Sequence, residues 1–294
     1  MSARTGSVRP VTHHCEPGPD ELPDPSWIGL EGRRAVVTGA ARGIGRSTAI
    51  ALARFGADVA ICDRLSDELE ETAAGIRSAG REVSAAVLDV RDTDAVDRWV
   101  SEIESGWSSL DVLVNNAGGG FVADVADVSP NGQAALVAEN FTQVVDTTRR
   151  CLPLLRAAPA AGGSSVINLT SIEAHRAGPG FGIYSAMKAA VANLTRTLAL
   201  ELAADRIRVN AVAPDMIPTP GDADLSVESG ALSITGWAPT PWPDVGSSAD
   251  VAAAIVWLAG PMSRFVTGST VHVDGGTFAS SGWKRALDGG PWVL

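Results

Sequence analysis

The chain predicts an α/β fold, a parallel sheet with helices on both faces, and three observations carry that prediction. Short apolar runs alternate with segments of helical period over most of the length. The first apolar run leads into a glycine-rich turn and then a helix, Gly39-Ala-Ala-Arg-Gly43-Ile-Gly45. The polar residues Asp63, Asp89 and Asn116 each follow the end of such a run, and an open parallel sheet gathers its ligands at the carboxyl ends of its strands.

Taken in order, residues 1 to about 31 hold five prolines (Pro10, Pro17, Pro19, Pro23, Pro25) and little apolar periodicity. They read as a flexible or surface-draped arm, with Trp27 and Ile28 anchoring its end. His13-His14-Cys15 has no second ligand cluster, so no metal site is expected. Arg34-Ala-Val-Val-Thr38 is the first strand, buried on both sides. A helix over 44–55 follows the glycine turn, which lets backbone approach a pyrophosphate at a helix N-terminus. The second strand, 58–62, ends at Asp63, 24 positions after Gly39. An acid there accepts hydrogen bonds from an adenosine ribose and repels a 2′-phosphate; a helix N-cap or turn Asp is the plainer reading. Arg42 and Arg64 stand nearby and could answer a phosphate, so NAD is expected over NADP without excluding NADP.

Helices are expected over 67–80 and 93–107, with a third strand over 83–88 and a fourth over 110–114, before the loop Asn115-Asn-Ala-Gly-Gly-Gly120. One long helix over 130–155 carries Asn140 in its interior, where its amide competes for backbone groups; it is either solvent-facing or part of a site. A fifth strand over 164–169 ends at Thr170-Ser171. A sixth strand, 206–212, precedes an irregular, Pro- and Gly-rich stretch over 214–244. A loop of that length is usually functional, often a lid. A helix over 249–258, a seventh strand over 269–273 and a polar tail from 277 complete the chain, with no repeat and no second domain.

The helix that follows Phe181 holds Tyr184, the chain's only tyrosine, and Lys188 one turn later on the same face. An ammonium beside a phenol stabilises the phenolate, so the tyrosine pKa should fall from about 10 toward the operating pH, as acid–base catalysis needs. Alone, such a pair is weak evidence, and a half-buried Tyr beside a solvated Lys is the commoner reading. Composition narrows the class. In 294 residues, 45% hydrophobic and 19% charged, one domain with tails is expected. A net charge of -11 argues against nucleic acid or an anionic membrane as partner. Three scattered cysteines suit a reducing cytoplasm, and neither a membrane span nor a secretory signal is apparent.

Together these residues resemble the short-chain dehydrogenase/reductase family over about 32–276. The matching stretches are Thr38-Gly-Ala-Ala-Arg-Gly-Ile-Gly45, Asp89-Val90, Asn115-Asn-Ala-Gly118, Asn140, Ser171, Tyr184-Ser-Ala-Met-Lys188, Arg208-Val-Asn-Ala-Val-Ala-Pro214, Thr219, Val266-Thr-Gly268 and Val273-Asp-Gly-Gly276. The resemblance implies a single Rossmann-type domain with a doubly wound seven-stranded parallel sheet. It implies hydride transfer between NAD(P) and a carbonyl or alcohol, and a homotetramer or homodimer joined partly through the Tyr184 helix. By position, Tyr184 would be the acid/base. Lys188 would tune it and hold the nicotinamide ribose, Ser171 would bond the substrate oxygen, and Asn140 would hold a water behind Lys188. Gly39, Gly43, Ile44 and Gly45, with Arg42, would line the pyrophosphate. Asp63 would meet the ribose, and Asp89 with Val90 the adenine. Asn116, Ala117, Gly118, Pro214, Ile217 and Thr219 would complete the cofactor site, Thr219 at the carboxamide.

One departure stands out: Asp215 occupies a position where the family commonly has Gly, and Asp is less tolerant of positive φ. Specificity is expected in 174–181 and in the 214–244 loop, where Met216, Ile217, Leu232, Trp237 and Trp242 either contact an apolar, bulky substrate or pack a lid. A steroid, a terpenoid alcohol or an acyl thioester would suit such a site, while Arg176 would meet an anion or face water. A cofactor-binding sensor without catalysis is the rival expectation, and the intact Asn140, Ser171, Tyr184 and Lys188 favour the enzyme.

Overall fold

Apolar alternation along the strands builds two core layers on one sheet in the computed structural model, which describes residues 22–159, 163–220, 240–285 and 290–293. The strands are β1 (Arg34–Thr38), β2 (Asp58–Asp63), β3 (Val83–Val87), β4 (Val112–Asn115), β5 (Ser164–Leu169), β6 (Ile207–Pro214) and β7 (Thr270–Val273). All pair in parallel, in the order β3-β2-β1-β4-β5-β6-β7. Successive side chains of a strand point to opposite faces. Val37 therefore joins the layer under α1 (Gly43–Arg54), α2 (Ser66–Ser78) and α7 (Ser248–Ala259), with Leu52, Ile76 and Ile255. Its neighbour Val36 joins the opposite layer, where α3 (Thr93–Gly106), α5 (Gln143–Arg156) and α6 (Gly182–Glu201) supply Trp99, Leu155 and Ala199.

The chain runs outward from β1 to β2 and β3, then returns to place β4 on the other side of β1. That reversal opens a crevice beyond the carboxyl ends of β1 and β4, the place where such sheets take ligands. The glycine turn after β1 and the Asn115–Gly120 loop after β4 are its two lips.

The structure corrects several expectations. The helix expected over 130–155 is broken: α4 (Pro130–Val137) and α5 are joined by a π-helical turn, Ala138–Thr142, with Asn140 fully buried in it. The cause is local. The Asn140 amide donates to the Leu136 carbonyl at 3.0 Å, taking an acceptor of the helical ladder, and to Gly119 O at 2.8 Å. β6 starts at Ile207 because Arg206 is left-handed, φ 57. The polar tail contains a short helix, α8 (Thr277–Ser280), and an antiparallel pair, β8 (Lys284–Arg285) with β9 (Trp292–Val293). In the arm, Ile28 is 37% exposed, and the buried anchor is Leu30, whose N–H donates to Phe55 O at 2.6 Å. Trp27 is half-buried, with the Arg264 guanidinium over its ring. His13-His14-Cys15, Leu232 and Trp237 lie outside the described residues.

Cys62 and Cys151 are free and buried, and burial pushes both thiols up, Cys151 to about 12, so neither is a reactive thiolate. Among the described residues, no helix is long and apolar enough to cross a membrane, and no cluster of three or more His, Cys, Asp or Glu is placed to hold a metal ion.

Candidate active site

At the first lip of the crevice, Gly43 takes φ 58 at the start of α1, a conformation open to glycine at little cost. Gly45 is required for a different reason. A β-carbon there would stand 2.0 Å from Gly39 O, so the first turn of α1 packs directly on the turn after β1. Asn116 fixes this turn from the other lip, donating its side-chain N–H to Gly39 O at 2.8 Å and Thr38 O at 3.0 Å. The N-cap residue Arg42 makes no side-chain cap bond, and the N-terminus of α1, with its positive dipole end, borders the crevice.

Asp63 ends β2. Its Oδ2 accepts the Ala41 N–H at 3.0 Å and its Oδ1 the Leu65 N–H at 3.2 Å, so the carboxylate is held rigidly beside the glycine turn. Asp89 pairs with Arg91 through both oxygens, and that guanidinium holds its carboxyl below the usual range.

The second half of the site is built on α6. Lys188 is buried and donates to Leu169 O, at the end of β5, at 2.9 Å; its Nζ lies 5.6 Å from the centre of the Tyr184 ring. Burial lowers its pKa from 10.5 to about 8, while the Glu139 carboxylate opposes that fall. Gly118 lies between Lys188 and Asn140: a β-carbon on it would be 3.0 Å from both Lys188 Nζ and Asn140 Oδ1. Ser171, following β5, accepts the Glu173 N–H on its Oγ at 3.2 Å.

These groups share one cleft of about 1090 Å³. Every residue expected to bind cofactor lines it, from Gly39 and Arg42 at one end to Pro214, Ile217 and Thr219 at the other, and so do Ser171, Tyr184 and Lys188. Asn140 stands behind the wall, buried. Thr219 packs against Gly43, within 3.3 Å of where a β-carbon there would be. The expected substrate wall is rearranged. Trp242 is 63% exposed and away from the cleft, while Phe121, Leu136, Ile172 and Phe181 line it beside Met216 and Ile217. Asp215 does not carry the positive φ; Met216 does, at φ 51. Arg176 neither awaits an anion nor merely faces water, since it pairs with Glu173 and Asp215. Sequence reasoning missed Glu139, Glu173 and Gln143. The signal for the first two was adjacency to Asn140 and Ser171. Gln143 donates to Ala117 O at 2.8 Å from within a helix and carried no signal.

The cleft fits a dinucleotide: it is long, has a left-handed glycine and a helix N-terminus at one end, and a buried ammonium beside a phenol at the other. Comparison with known proteins gives the same direction. The family model described as enoyl-(acyl carrier protein) reductase matches residues 39–277. The gluconate 5-dehydrogenase of Gluconobacter oxydans is 33% identical, covering 87% of this chain and 98% of its own. The sorbitol dehydrogenase of Cereibacter sphaeroides is 35% identical, covering 85% and 99%. The crystal structure of carveol dehydrogenase from Mycobacterium avium in complex with NAD superposes with a TM-score of 0.78 at 30% identity, covering 85% and 99%. The chain belongs to the short-chain dehydrogenase/reductase family and is an oxidoreductase of CH–OH groups that works with a nicotinamide cofactor.

Proposed function

We propose that the protein interconverts a secondary alcohol and its ketone, with NAD as the preferred cofactor and an apolar, bulky substrate. The observation that carries the reading is the buried Lys188 ammonium beside Tyr184 in the same cleft as Ser171. When bound, the nicotinamide supplies the hydride donor or acceptor. The protein's own groups do the rest. Tyr184 gives a proton to the carbonyl oxygen in reduction and takes it from the alcohol in oxidation, with Lys188 favouring the phenolate. Ser171 accepts from Glu173 N–H, which leaves its hydroxyl hydrogen to donate to the substrate oxygen, a contact that strengthens as charge develops there. Lys188 has one hydrogen on Leu169 O and two left for a ribose. Asn140 holds the Gly119 backbone and, with Lys188, faces the space where a relay water would sit.

Asp63 supports NAD, since its fixed carboxylate would repel a 2′-phosphate. Phe121, Phe181, Leu136 and Ile172 support the apolar substrate. A homotetramer or homodimer through α6 is part of the proposal, supported by Leu200, 81% exposed on that helix, and light scattering of the purified protein tests it. The test of function is reduced-nicotinamide absorbance on mixing protein, NAD or NADP, and a panel of cyclic and open-chain secondary alcohols. Turnover with Tyr184→Phe equal to that of the unchanged protein would refute the acid–base assignment.

A further inference from the structure

One arginine joins the two segments that wall the substrate end of the cleft. Ser171 to Arg176 forms a tight unit after β5, with Ala174 N–H on Ser171 O and His175 N–H on Ile172 O. From its end, Arg176 donates through Nε at 3.1 Å and Nη2 at 2.8 Å to Glu173 Oε1. Its remaining arm, Nη1, lies 3.2 Å from Asp215 Oδ2, on the segment that follows β6. Asp215 in turn accepts the N–H of Met216, the left-handed residue, on Oδ1 at 2.9 Å. The two carboxylates are largely buried, with side chains 16% and 10% exposed, and the arginine is 40% exposed.

We propose that Arg176 is a positioning residue: it clasps the Ser171 segment to the 214–219 segment through Glu173 and Asp215, and so sets the width of the substrate end. The inference rests on the proposed reaction only for what the cleft holds. Its physical basis is separate. A planar guanidinium presents donors in two directions and suits a bridge between two carboxylates. Without it, Glu173 and Asp215 would be two largely buried like charges on opposite walls, and their repulsion would part the segments. The same geometry accounts for Asp at 215, since glycine there offers the arginine nothing. Pro214, Ile217 and Thr219 lie on the clasped segment, so cofactor binding also reports on it.

The test uses the full chain with Arg176→Ala, Asp215→Gly and the double substitution, reading the NADH dissociation constant by fluorescence and KM and kcat for any ketone turned over. A buried unpaired charge is the main penalty in Arg176→Ala, so both constants should rise about tenfold while kcat falls by less, and the double substitution should recover to within about threefold. An Arg176→Ala protein equal to the unchanged one, or a double substitution no better than Arg176→Ala, overturns the clasp. If the unchanged protein binds no NADH and reduces no ketone, the proposed function fails instead. The clasp is then judged from thermal midpoints, where strictly additive effects of the two substitutions overturn it and strong coupling upholds it.

Discussion

Asn140 Oδ1 and Lys188 Nζ each lie 3.0 Å from the point where a β-carbon on Gly118 would stand, so they are at most twice that distance apart. In the proposed mechanism one water bonds to both, two hydrogen bonds of about 2.8 Å each reaching about 5.6 Å. A side chain at 118 would crowd both groups, so the proposed relay depends on glycine there. Gly118→Ala should fill the space beside them without touching the glycine turn at the far end of the cleft. The expected result is a fall in kcat of roughly a hundredfold, the scale of acid–base assistance, with NADH affinity changed far less. Stopped-flow turnover alongside fluorescence titration checks it; unchanged kcat would remove this space from the mechanism.

Lys188 carries a cost in stability that its chemistry requires. Its pKa falls from 10.5 to about 8 because burial disfavours the ammonium, a shift equivalent to about 3 kcal/mol. That cost is present in full below about pH 8, where both folded and unfolded chains hold the proton, and fades as pH rises toward 10.5. Lys188→Met keeps the volume and removes the charge, at the expense of the bond to Leu169 O, about 1 kcal/mol. The variant should be inactive yet more stable than the unchanged protein by about 2 kcal/mol at pH 7. The advantage should vanish somewhat below pH 10.5, where the remaining burial cost equals the lost bond, and reverse at higher pH. Urea unfolding across that range measures it, and a variant less stable at pH 7 would contradict the buried-charge account.

How much of this was legible beforehand depends on the range of the interaction concerned. A parallel sheet with helices on both faces and ligands at its strand ends follows from alternating elements, which the chain states locally; the order of the strands, which puts the crevice between β1 and β4, was not among the expectations. The cleft residues were legible because each stands at a strand end or one helical turn from another, as Tyr184 and Lys188 do. The π turn was not. It depends on Asn140 finding Gly119 O, a partner 21 positions away. Asp215 was read as a backbone problem, whereas its meaning is electrostatic and lies in Arg176, which no local pattern connects to it. Trp242 was expected either to contact substrate or to pack a lid; its backbone N–H is bonded to Gly275 O and the residue is 63% exposed.

Asp63 should decide between the two nicotinamide cofactors. Both its oxygens are fixed by backbone N–H groups, so the charge cannot swing away from an incoming 2′-phosphate. NAD should therefore be used with a kcat/KM at least about tenfold above NADP, a difference of about 1.4 kcal/mol. Asp63→Ser removes the charge and leaves Arg42 and Arg64 on the cleft wall. That variant should narrow or reverse the preference, chiefly through KM for the cofactor. NADP saturating the unchanged protein at lower concentration than NAD would show that Asp63 does not select.

Glu139 should set the alkaline edge of the reaction. It lines the cleft beside Gly119, with Oε1 3.1 Å from where a β-carbon on that residue would be, and its carboxylate favours the charged form of Lys188. In the proposed reaction ketone reduction needs a protonated Tyr184 and a charged Lys188, so the rate should fall as pH rises through about 8, with an apparent pKa belonging to the coupled pair. Glu139→Gln keeps the shape and removes the charge. Without that attraction Lys188 releases its proton at lower pH, so the alkaline limb of kcat should move down. The rate on the acid side, where Lys188 is charged in both proteins, should differ little. Glu139→Asp retains the charge on a shorter side chain and should leave the limb nearly in place. A limb that moves up in Glu139→Gln, or moves equally in both variants, would mean that Glu139 acts on the reaction by packing and not through its charge.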